Sequence, residues 1–343
     1  MDNTSLHIVF ASDDNFVLQL QVAVISFLKA CEGDAEPWIV DILDCGIKDE
    51  TWRGVIGTVD HYAKRFSVKY SVARHKIDMR AYEGYSRWNT SRATYARLEL
   101  PNLLKDANYC IYSDCDMLFI DNPRVLVRQL VTKTKTILGH RNPVVRGKDS
   151  DGEWFRANGL PYDKENHFCA GLVAMNLEKM RMDDAVHKLH SFMRKFPSPV
   201  SVDQSALNWY CSVSGKSGGV FDGTWGLFPS ECFGIEPSII SAIHLSCGHA
   251  WKGSPSWYEY LTMHRVDSLW IQFASALFPD QNIHNKTRFA VTAVAFVAAC
   301  VARLILALRI PLPRKKDFLE EMRKVFTTDD GIEATRKKLM DGV

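Results

Sequence analysis

The chain has 343 residues, of which 46% are hydrophobic and 24% charged, enough for one large α/β domain with appendages or for two smaller domains. Its formal net charge of +2 argues against an extended nucleic-acid surface, because no strong basic excess is present to displace counterions from a phosphate backbone. Nine scattered cysteines without a Cys-x-x-Cys pair are typical of buried, reduced thiols in a cytoplasmic protein. Residues 1–5 have neither a basic flank nor an apolar core, so we expect no signal peptide.

The amino-terminal part of the chain alternates strand and helix patterns. Short apolar runs predict three strands, at Leu6–Ala11, Trp38–Leu43 and Phe66–Val72. Helical spacing of apolar residues extends to Ala30 after the first strand and over Lys48–Tyr62 after the second. Alternation of this kind favours a parallel sheet that is covered by helices on both faces.

A polar loop, Ser12-Asp-Asp-Asn15, follows the first strand. Ligands in open α/β sheets bind just beyond the carboxyl ends of strands, which makes the loop a candidate binding site. Asp and Asn are also favoured at helix amino termini, so a capping role is an equal alternative.

Two arginines precede the most informative stretch of the chain. A helix is predicted from Asn89 to Leu100, and its Arg92 and Arg97 are candidates to meet phosphate or to hold an aspartate in place. This helix leads into the apolar run Tyr109–Asp121, which carries Asp114 and Asp116.

Asp114 and Asp116 form an Asp-x-Asp pattern at a predicted strand end. In an extended segment alternate side chains share a face, so one divalent cation can bind both carboxylates. Two like charges on a largely buried strand are costly unless a cation neutralises them. The alternative is a polar turn between two strands, and the short pattern alone does not separate the two readings.

The middle of the chain continues the alternation. We predict a helix at Arg124–Val131, a strand at Thr136–His140, a long surface loop at Arg141–Glu165 that acts as a lid or specificity segment, and one helix at Leu177–Phe196. Asp203 and Gln204 begin a further helix, where Asp203 could simply complement the helix dipole. The apolar run Ile239–Leu245 then contains His244, and Gly248, His249 and Lys252 follow it.

Taken together, these motifs resemble the retaining sugar-nucleotide transferases of glycosyltransferase family 8, especially bacterial lipopolysaccharide galactosyl- and glucosyltransferases. Six ordered blocks carry the resemblance: Val9-Phe-Ala-Ser-Asp-Asp-Asn15, Thr94-Tyr-Ala-Arg-Leu98, Tyr112-Ser-Asp-Cys-Asp116, Phe168-Cys-Ala-Gly171 with Met175-Asn-Leu177, Asp203-Gln204 with Leu207-Asn208, and His244 through Lys252. Each block is weak alone, but their order and spacing are specific.

The resemblance implies a GT-A-type, Rossmann-like mixed α/β sheet with helices on both faces and a mainly helical carboxyl-terminal extension. It implies transfer of glucose or galactose from a UDP-hexose to a saccharide acceptor, with Mn²⁺ or Mg²⁺ bound by Asp114, Asp116 and His244. Contacts with the nucleotide sugar are implied for Ala11, Asp13, Asn15, Arg97, Asp114, Cys115, Cys169, Ala170, Gly248 and Lys252. The reaction centre would be lined by Arg97, Asp203 and Gln204.

The sequence departs from the family pattern at Cys169 and in the last block, and the acidic residue that the family often has after the strand near His140 is not evident, which leaves the donor hexose open. Cys169 stands where the family usually has Asn, which puts one hydrogen bond to the donor sugar in question. The last block is stretched to His244-x-x-x-Gly248-x-x-x-Lys252 and lacks the usual Pro-Trp, so His249 is an alternative metal ligand to His244.

The carboxyl-terminal region suggests attachment to a membrane. We expect a catalytic domain at residues 1–260 and a helical extension at residues 261–343. Phe289–Leu308 is almost wholly apolar and is followed by a basic flank, which fits a spanning helix, an in-plane helix or a buried helix. Because related enzymes reach lipid-linked acceptors, the resemblance favours a peripheral position on the cytoplasmic face of the cell membrane and a lipopolysaccharide or other glycolipid acceptor.

Two other classes compete with this interpretation. A catalytically silent sugar-nucleotide-binding protein would explain Cys169 and the stretched histidine block as decay of the site. A haloacid-dehalogenase-like phosphatase also has Asp-x-Asp after an apolar strand, but Leu118 stands where that class has Thr or Val.

Overall fold

The computed structural model describes residues 5–88, 91–142, 149–213, 218–232, 239–245, 269–281, 283 and 330–343. The chain divides into two compact units, Met1–Gly226 and Leu227–Val343. The first unit contains the large sheet and most of the residues singled out in the sequence.

Seven strands of the first unit form one mixed sheet. They are β1 (Leu6–Ser12), β2 (Trp38–Asp44), β3 (Tyr70–Lys76), β4 (Tyr109–Ser113), β6 (Ile137–Arg141), β7 (Phe168–Asn176) and β8 (Gly218–Val220), while the short strand β5 (Met117–Phe119) follows β4 outside this sheet. The order is β3-β2-β1-β4-β7-β6-β8. The first four strands are parallel, β7 is antiparallel to both of its neighbours, and β8 is parallel to β6.

Helices cover both faces of the sheet. They are α1 (Val17–Ala30), α2 (Asp49–Arg65), α3 (Leu100–Leu103), α4 (Arg124–Thr132), α5 (Ser150–Ala157), α6 (Leu177–Met182), α7 (Ala185–Lys195) and α8 (Val202–Val213), with 3₁₀ turns at Asp14–Phe16, Met79–Tyr82 and Ala93–Glu99. In α2 the buried side chains are Val55, Val59, Tyr62 and Ala63, the spacing of one apolar helical stripe. α1 packs between α2 and the strands and is buried over residues 19–28.

The strand β7 lies at the centre of the fold, and all nine of its residues are buried. Its pairing with β6 is irregular: Gly139 lies opposite Val173 but His140 lies opposite Cys169. Residues 170–172 therefore have no opposite residue on β6. On the other side the pairing with β4 ends at Leu172, so Ala170 and Gly171 lie outside both ladders.

Most predicted strands are confirmed, and two expectations are wrong. The third strand begins at Tyr70 instead of Phe66, because Phe66 closes α2 and is buried there. The sheet is not wholly parallel, because β7 is inserted antiparallel between β4 and β6. The mixed GT-A-type sheet that the family resemblance implies is confirmed.

Three predicted segments also differ in the structure. The Arg141–Glu165 segment contains α5, whose amino terminus is capped by Asp149, so it is not a loop throughout. The predicted helix Leu177–Phe196 is two helices, since Asp184 adopts a left-handed φ of 49° between them. The predicted helix before Leu100 is a 3₁₀ turn that leads into α3.

In the second unit, the described residues form short, separate elements. The strand β9 (Ala242–His244) bonds to Leu227, which donates its N–H to the Ala242 carbonyl at 3.0 Å and accepts from the His244 N–H at 2.8 Å. Residues 269–277 and Asp330–Met340 are helical. Across the described segments, the helices are too short or too polar to span a membrane. Phe289–Leu308 lies outside the described residues.

Substituting Gly139→Ala should destabilise the first unit. A Cβ at this position would lie 2.7 Å from Cδ2 of Phe168 and 2.9 Å from the Cys169 carbonyl oxygen, and the backbone oxygen cannot turn aside. We expect a loss of about 1–3 kcal/mol in the free energy of unfolding, measured by urea denaturation. The control is Gly57→Ala in α2, where nothing lies within 4 Å and about 0.5–1 kcal/mol should be gained. Equal stability of the two variants would contradict the close approach at Gly139.

Candidate active site

Predicted site residues meet at the carboxyl ends of the neighbouring parallel strands β1 and β4. Phe10 of β1 lies opposite Ser113 of β4, so the loops that follow these strands start side by side. Asp13 caps the 3₁₀ turn, accepting from the Asn15 N–H at 3.0 Å, and its other oxygen accepts from the Ser91 hydroxyl at 3.0 Å. The capping role is therefore present.

Asp114, Cys115 and Asp116 occupy the turn between β4 and β5. A carboxylate oxygen of Asp114 and one of Asp116 lie within 4.8 Å of each other. Between them Cys115 is 3% exposed and donates its thiol to the Ala11 carbonyl at 3.3 Å. Burial raises the pKa of Cys115 well above its usual value, with the two aspartates adding to the effect. The thiol thus stays neutral and joins the two loops.

Arg97 is the buried cation of the site, with 2% of its side chain exposed. Its Nη2 lies 2.6 Å from Oδ1 of Asp114, its Nε lies 2.9 Å from Oδ2 of Asp203, and its guanidinium stacks on the Tyr112 ring at 4.0 Å. Burial alone would lower the pKa of Arg97, but Asp114 and Asp203 raise it above its usual range. The expected charge pair between Arg97 and Asp114 is present.

Asp203 is held by a hydrogen bond from Thr94 in addition to its ion pair with Arg97. It is 2% exposed, and its Oδ1 accepts from the Thr94 hydroxyl. Burial raises the pKa of Asp203, while Arg97 and Thr94 pull it down. Just before it, Val202 has a left-handed φ of 43°, which is rare for a β-branched residue and marks backbone strain at the start of α8.

The backbone groups of Ala170 and Gly171 that take no part in strand pairing bind Gln204, Arg97 and the Asp114 backbone. The Ala170 N–H donates to Oε1 of Gln204 at 3.0 Å, and the Ala170 carbonyl accepts from Nη1 of Arg97. The Gly171 carbonyl accepts from the Asp114 N–H at 2.7 Å. Bulges often lie beside active sites because they aim groups out of the sheet, and this one supplies the peptide groups that join Asp114, Arg97 and Gln204.

Asn208 ties α8 to the same strand. Its Oδ1 accepts from the Phe168 N–H at 3.0 Å, and its Nδ2 donates to the Phe168 carbonyl at 2.8 Å and the Gln204 carbonyl at 3.0 Å. This residue lies in a family motif, and in this structure its contacts hold the helix that carries Gln204 against β7.

Cys169 lies beside His140 within the bulge, with a ring nitrogen of His140 within 4.8 Å of the Cys169 sulfur. Both side chains are buried, at 8% and 1% exposure for Cys169 and His140. The replacement at Cys169 is evident from the sequence, whereas no sequence pattern predicted a role for His140.

Arg92 and His244 are two further predicted residues that the structure describes. Arg92 donates to the Tyr85 carbonyl at 2.7 Å, so of the two arginines only Arg97 meets an aspartate among the described contacts. His244 ends β9 in the second unit, where it is 4% exposed and its ring lies 5.0 Å from the Phe228 ring. Gly248, His249 and Lys252 lie outside the described residues.

Sequence reasoning missed Thr94, Tyr112, Ser91 and Asp151. Tyr112 donates to Oδ1 of Asp114 at 3.0 Å, and Asp151 is a buried carboxylate in α5. Thr94 and Tyr112 lie inside the motifs that were singled out, so proximity to Arg97 and Asp114 was the available signal. Nothing local marked Asp151.

Residues 7–217, well over half of the chain, match the family described as Glycosyl transferase family 8. The chain belongs to that family. It is thus a glycosyltransferase.

Solved structures with the same fold support the GT-A class of this family 8 glycosyltransferase. The galactosyltransferase LgtC, solved with donor and acceptor sugar analogues, has a TM-score of 0.61 and 20% identity, covering 80% of this chain and 96% of LgtC. An active-site mutant of LgtC has a TM-score of 0.53 and 24% identity, covering 66% and 76%. GlyE from Streptococcus pneumoniae TIGR4 has a TM-score of 0.55 and 14% identity, covering 83% and 66%. Among curated protein sequences, none matches the chain significantly.

In this glycosyltransferase, Arg97→Met should be strongly destabilising. It removes the cation between two carboxylates and leaves Asp203 buried without it, at an expected cost of about 3–5 kcal/mol. Without Arg97 the folded-state pKa of Asp203, which burial already raises, rises further. A group whose pKa is higher in the folded state loses stability as pH rises through that value. The deficit should therefore be largest at neutral pH and shrink towards about pH 4.

Two further variants control the measurement, which is urea denaturation between neutral pH and about pH 4. Arg92→Met removes only a hydrogen bond to a carbonyl and should cost about 0.5–1.5 kcal/mol at every pH. Arg97→Met combined with Asp203→Asn should recover part of the loss at neutral pH, because the buried charge is gone. A pH-independent deficit that the double variant does not reduce would contradict the role of Asp203.

Proposed function

We propose that this glycosyltransferase moves a hexose, glucose or galactose, from a UDP-sugar to a hydroxyl of a saccharide acceptor, with retention of the anomeric configuration and with a divalent cation. The observation that carries the proposal is the Arg97 cluster, in which one buried guanidinium joins the Asp-x-Asp turn to Asp203 and the bulge of β7. LgtC, a structural neighbour, is a galactosyltransferase solved with donor and acceptor sugar analogues, which supports this class of substrates.

Asp114 and Asp116 fit a hard divalent cation such as Mn²⁺ or Mg²⁺. Both offer carboxylate oxygens, the donor type that these cations prefer, and one oxygen of each lies within 4.8 Å of the other. His244 is proposed as the third ligand from the family resemblance, with His249 as its alternative. When bound, the cation would supply electrostatic stabilisation for the diphosphate as it departs.

The remaining donor contacts are proposed for the loops around this turn. Ala11, Asp13 and Asn15 would meet the uridine and ribose, since Ala11 lies near the end of β1 and the other two follow that strand beside the Asp-x-Asp turn. Cys115, Cys169 and Ala170 would border the donor sugar. Gly248 and Lys252 would contact the diphosphate, and for these two residues the proposal rests on the sequence alone.

The contacts of Asp203 favour attack on the same face from which the UDP departs. Retention requires either a covalent glycosyl-enzyme or such front-face attack. Asp203 is buried, its Oδ1 accepts from the Thr94 hydroxyl and its Oδ2 is ion-paired with the Arg97 guanidinium at 2.9 Å, and a carboxamide such as Gln204 is a weak nucleophile. In the proposed step the bond from the anomeric carbon to the phosphate oxygen breaks, the acceptor oxygen bonds to that carbon, and the acceptor proton passes to the departing diphosphate. A glycosyl adduct on Asp203 or Gln204, found by mass spectrometry, would overturn this step.

Neither competing class is favoured. The phosphatase alternative has no support, because the family match and the mixed sheet both belong to glycosyltransferases. A catalytically silent protein would retain metal-dependent binding of the nucleotide sugar without transfer, so an assay of both properties separates it from the enzyme.

Metal-dependent donor binding should depend on Asp116. We expect UDP-glucose or UDP-galactose to raise Tm in the presence of Mn²⁺ and not in its absence, with UDP-N-acetylglucosamine as the comparison donor. At about 100 times its Kd the donor adds about 2.7 kcal/mol of stability. Asp116→Asn should abolish the shift and lower kcat for transfer by at least about 100-fold, as measured by release of UDP with acceptor present.

The matched control is Asp121→Asn, which changes a partly exposed aspartate just after β5 and should leave both readouts unchanged. Asp116 is a cleaner choice than Asp114, whose carboxylate also pairs with Arg97. A donor shift that is independent of Mn²⁺ in the unaltered protein would count against the metal site. A normal shift without transfer would identify a silent binding protein.

We also propose that the acceptor is a lipopolysaccharide or other glycolipid and that the carboxyl-terminal region contacts the cytoplasmic face of the membrane. This rests on the apolar run Phe289–Leu308 and the basic residues that follow it, and on the expectation of a catalytic domain at 1–260 with an extension at 261–343. The basic residues suit anionic lipid headgroups, since each contributes about 1 kcal/mol near such a surface.

Charge reversal in the full-length protein tests the membrane proposal. Changing Arg314, Lys315 and Lys316 to Glu should lower co-flotation with vesicles that contain anionic lipid, and the unaltered protein should bind neutral vesicles less well than anionic ones. The control reverses Lys64 and Arg65 at the end of α2, far along the chain from the basic flank. Equal co-flotation of the unaltered protein and both variants with anionic vesicles would refute the proposal.

A further inference from the structure

Asp151 is a buried carboxylate that no step above uses. It lies in the first turn of α5 and is 4% exposed. Its Oδ1 accepts from the Ser201 hydroxyl at 2.6 Å. Its Oδ2 accepts from Nδ2 of Asn142, Nε2 of His167 and Nε2 of Gln204, each at 3.0 Å. Four donors thus come from the ends of β6, β7 and α8.

These donors keep Asp151 ionised despite its burial. Burial alone raises the pKa of a carboxyl, but the hydrogen bonds and charge of His167, together with Ser201 and Gln204, bring the pKa of Asp151 below its usual value. An ionised carboxylate accepts hydrogen bonds and donates none. The group facing Gln204 is therefore a fixed acceptor.

The carboxamide of Gln204 has only one orientation that satisfies its neighbours. Its Oε1 accepts from the Ala170 N–H, and its Nε2 donates to Asp151, both at 3.0 Å. A flipped carboxamide would set its NH₂ against the Ala170 N–H and its oxygen against the carboxylate. Both contacts would be repulsive. The oxygen has two lone pairs, and Ala170 uses one of them.

We propose that Asp151 is a positioning residue of the transfer reaction: through its bond to Nε2 it holds the Gln204 oxygen at the bulge of β7, where the second lone pair faces the electron-poor anomeric centre. The inference rests on the proposed function, in which Gln204 lines the reaction centre. It also assigns a positioning role to α5, because this helix places Asp151 beside Gln204 near the start of α8.

The series of hydrogen bonds that begins at Asp151 continues past Gln204. The Ala170 carbonyl accepts from Arg97, and Arg97 pairs with Asp114. Asp151 and the Asp-x-Asp turn are thereby the two ends of one hydrogen-bonded chain, in which each member fixes the next. A shift of Gln204 by about 1 Å is enough to lower the rate of such a site by about 100-fold.

The simpler reading is that Asp151 only anchors α5, and Asp149 provides the matched control. Asp149 caps the same helix, accepting from the Gly152 N–H at 3.0 Å and from the Tyr162 hydroxyl at 2.6 Å. No described contact joins it to Gln204. Asp149→Ala and Asp151→Ala should both lower Tm, so a drop in Tm alone distinguishes nothing.

The kinetic test compares transfer from UDP-hexose with Mn²⁺ in these variants, using the folded fraction. Asp151→Ala should lower kcat by about 30- to 100-fold and leave KM for the donor within about threefold. Asp149→Ala should change kcat by less than about threefold. Asp151→Asn should fall between Asp151→Ala and the unaltered protein, because the amide oxygen can still accept from Gln204 while the Ser201 hydroxyl turns to accept from the new NH₂.

A double-mutant cycle decides whether Asp151 acts through Gln204. In a Gln204→Ala background, Asp151→Ala should lower kcat no further than about twofold. Multiplicative effects of the two substitutions, or equal losses of kcat in Asp149→Ala and Asp151→Ala, would overturn the proposal.

A spectroscopic readout separates this inference from the proposed function. The two side-chain NH₂ protons of Gln204, assigned by their absence in Gln204→Ala, should exchange slowly in the unaltered protein and rapidly in Asp151→Ala. Slow exchange without any sugar transfer would refute the proposed function but leave the positioning intact. Unchanged exchange in Asp151→Ala would refute the positioning whatever the activity.

Discussion

The buried guanidinium of Arg97 allows this site to hold two carboxylates close together. Asp114 and Asp203 lie far apart in the chain, yet both pair with Arg97 at 2.6 and 2.9 Å. Without that cation, burial would drive Asp203 towards its neutral form. The stacking of the guanidinium on Tyr112 fills the remaining side of the cation. The turn that carries Asp114 therefore depends on a residue from an earlier segment for its charge balance.

The bulge in β7 converts this charge pairing into an ordered site. A regular ladder would use the N–H and carbonyl groups of Ala170 and Gly171 for strand pairing, and none would be left for the site. Because the register between β6 and β7 shifts at Gly139, those groups instead meet Gln204, Arg97 and the Asp114 N–H. The close approach of Phe168 and Cys169 to Gly139 and the position of the site's peptide groups therefore both follow from this register shift.

Local patterns in the sequence were enough to predict four strands of the sheet, and they marked Arg97 as a candidate to hold an aspartate without identifying both of its partners. Apolar runs predicted β1, β2, β4 and β6, since burial on both faces requires apolar residues throughout. The antiparallel entry of β7 was not predicted from periodicity, because direction depends on connections that the strand itself does not encode. The break at Asp184 was missed for a similar reason: a left-handed φ interrupts the helix although the apolar spacing continues.

Asp151 was missed because its role depends wholly on distant partners. Its segment is rich in Gly, Pro and charged residues, which predicts a loop, and four of its hydrogen bonds come from residues outside α5. The ligand-binding and catalytic roles of all the site residues stay predictions.

Asp203 and Gln204, two adjacent residues of α8, have different roles in the proposed reaction. The Asp203 carboxylate is buried, ion-paired with Arg97 and hydrogen-bonded by Thr94, so it stabilises the cluster instead of attacking the sugar. Gln204 is half-buried, and its carboxamide is held from both ends. A carboxylate at the position of Gln204 would face the nearby anion Asp151 and would also be able to capture the anomeric carbon. A neutral carboxamide avoids both outcomes, because it accepts from Ala170, donates to Asp151 and still presents an oxygen dipole to developing positive charge. The combination of a buried carboxylate that is ion-paired with Arg97 and a neutral amide therefore suits front-face attack better than a double displacement.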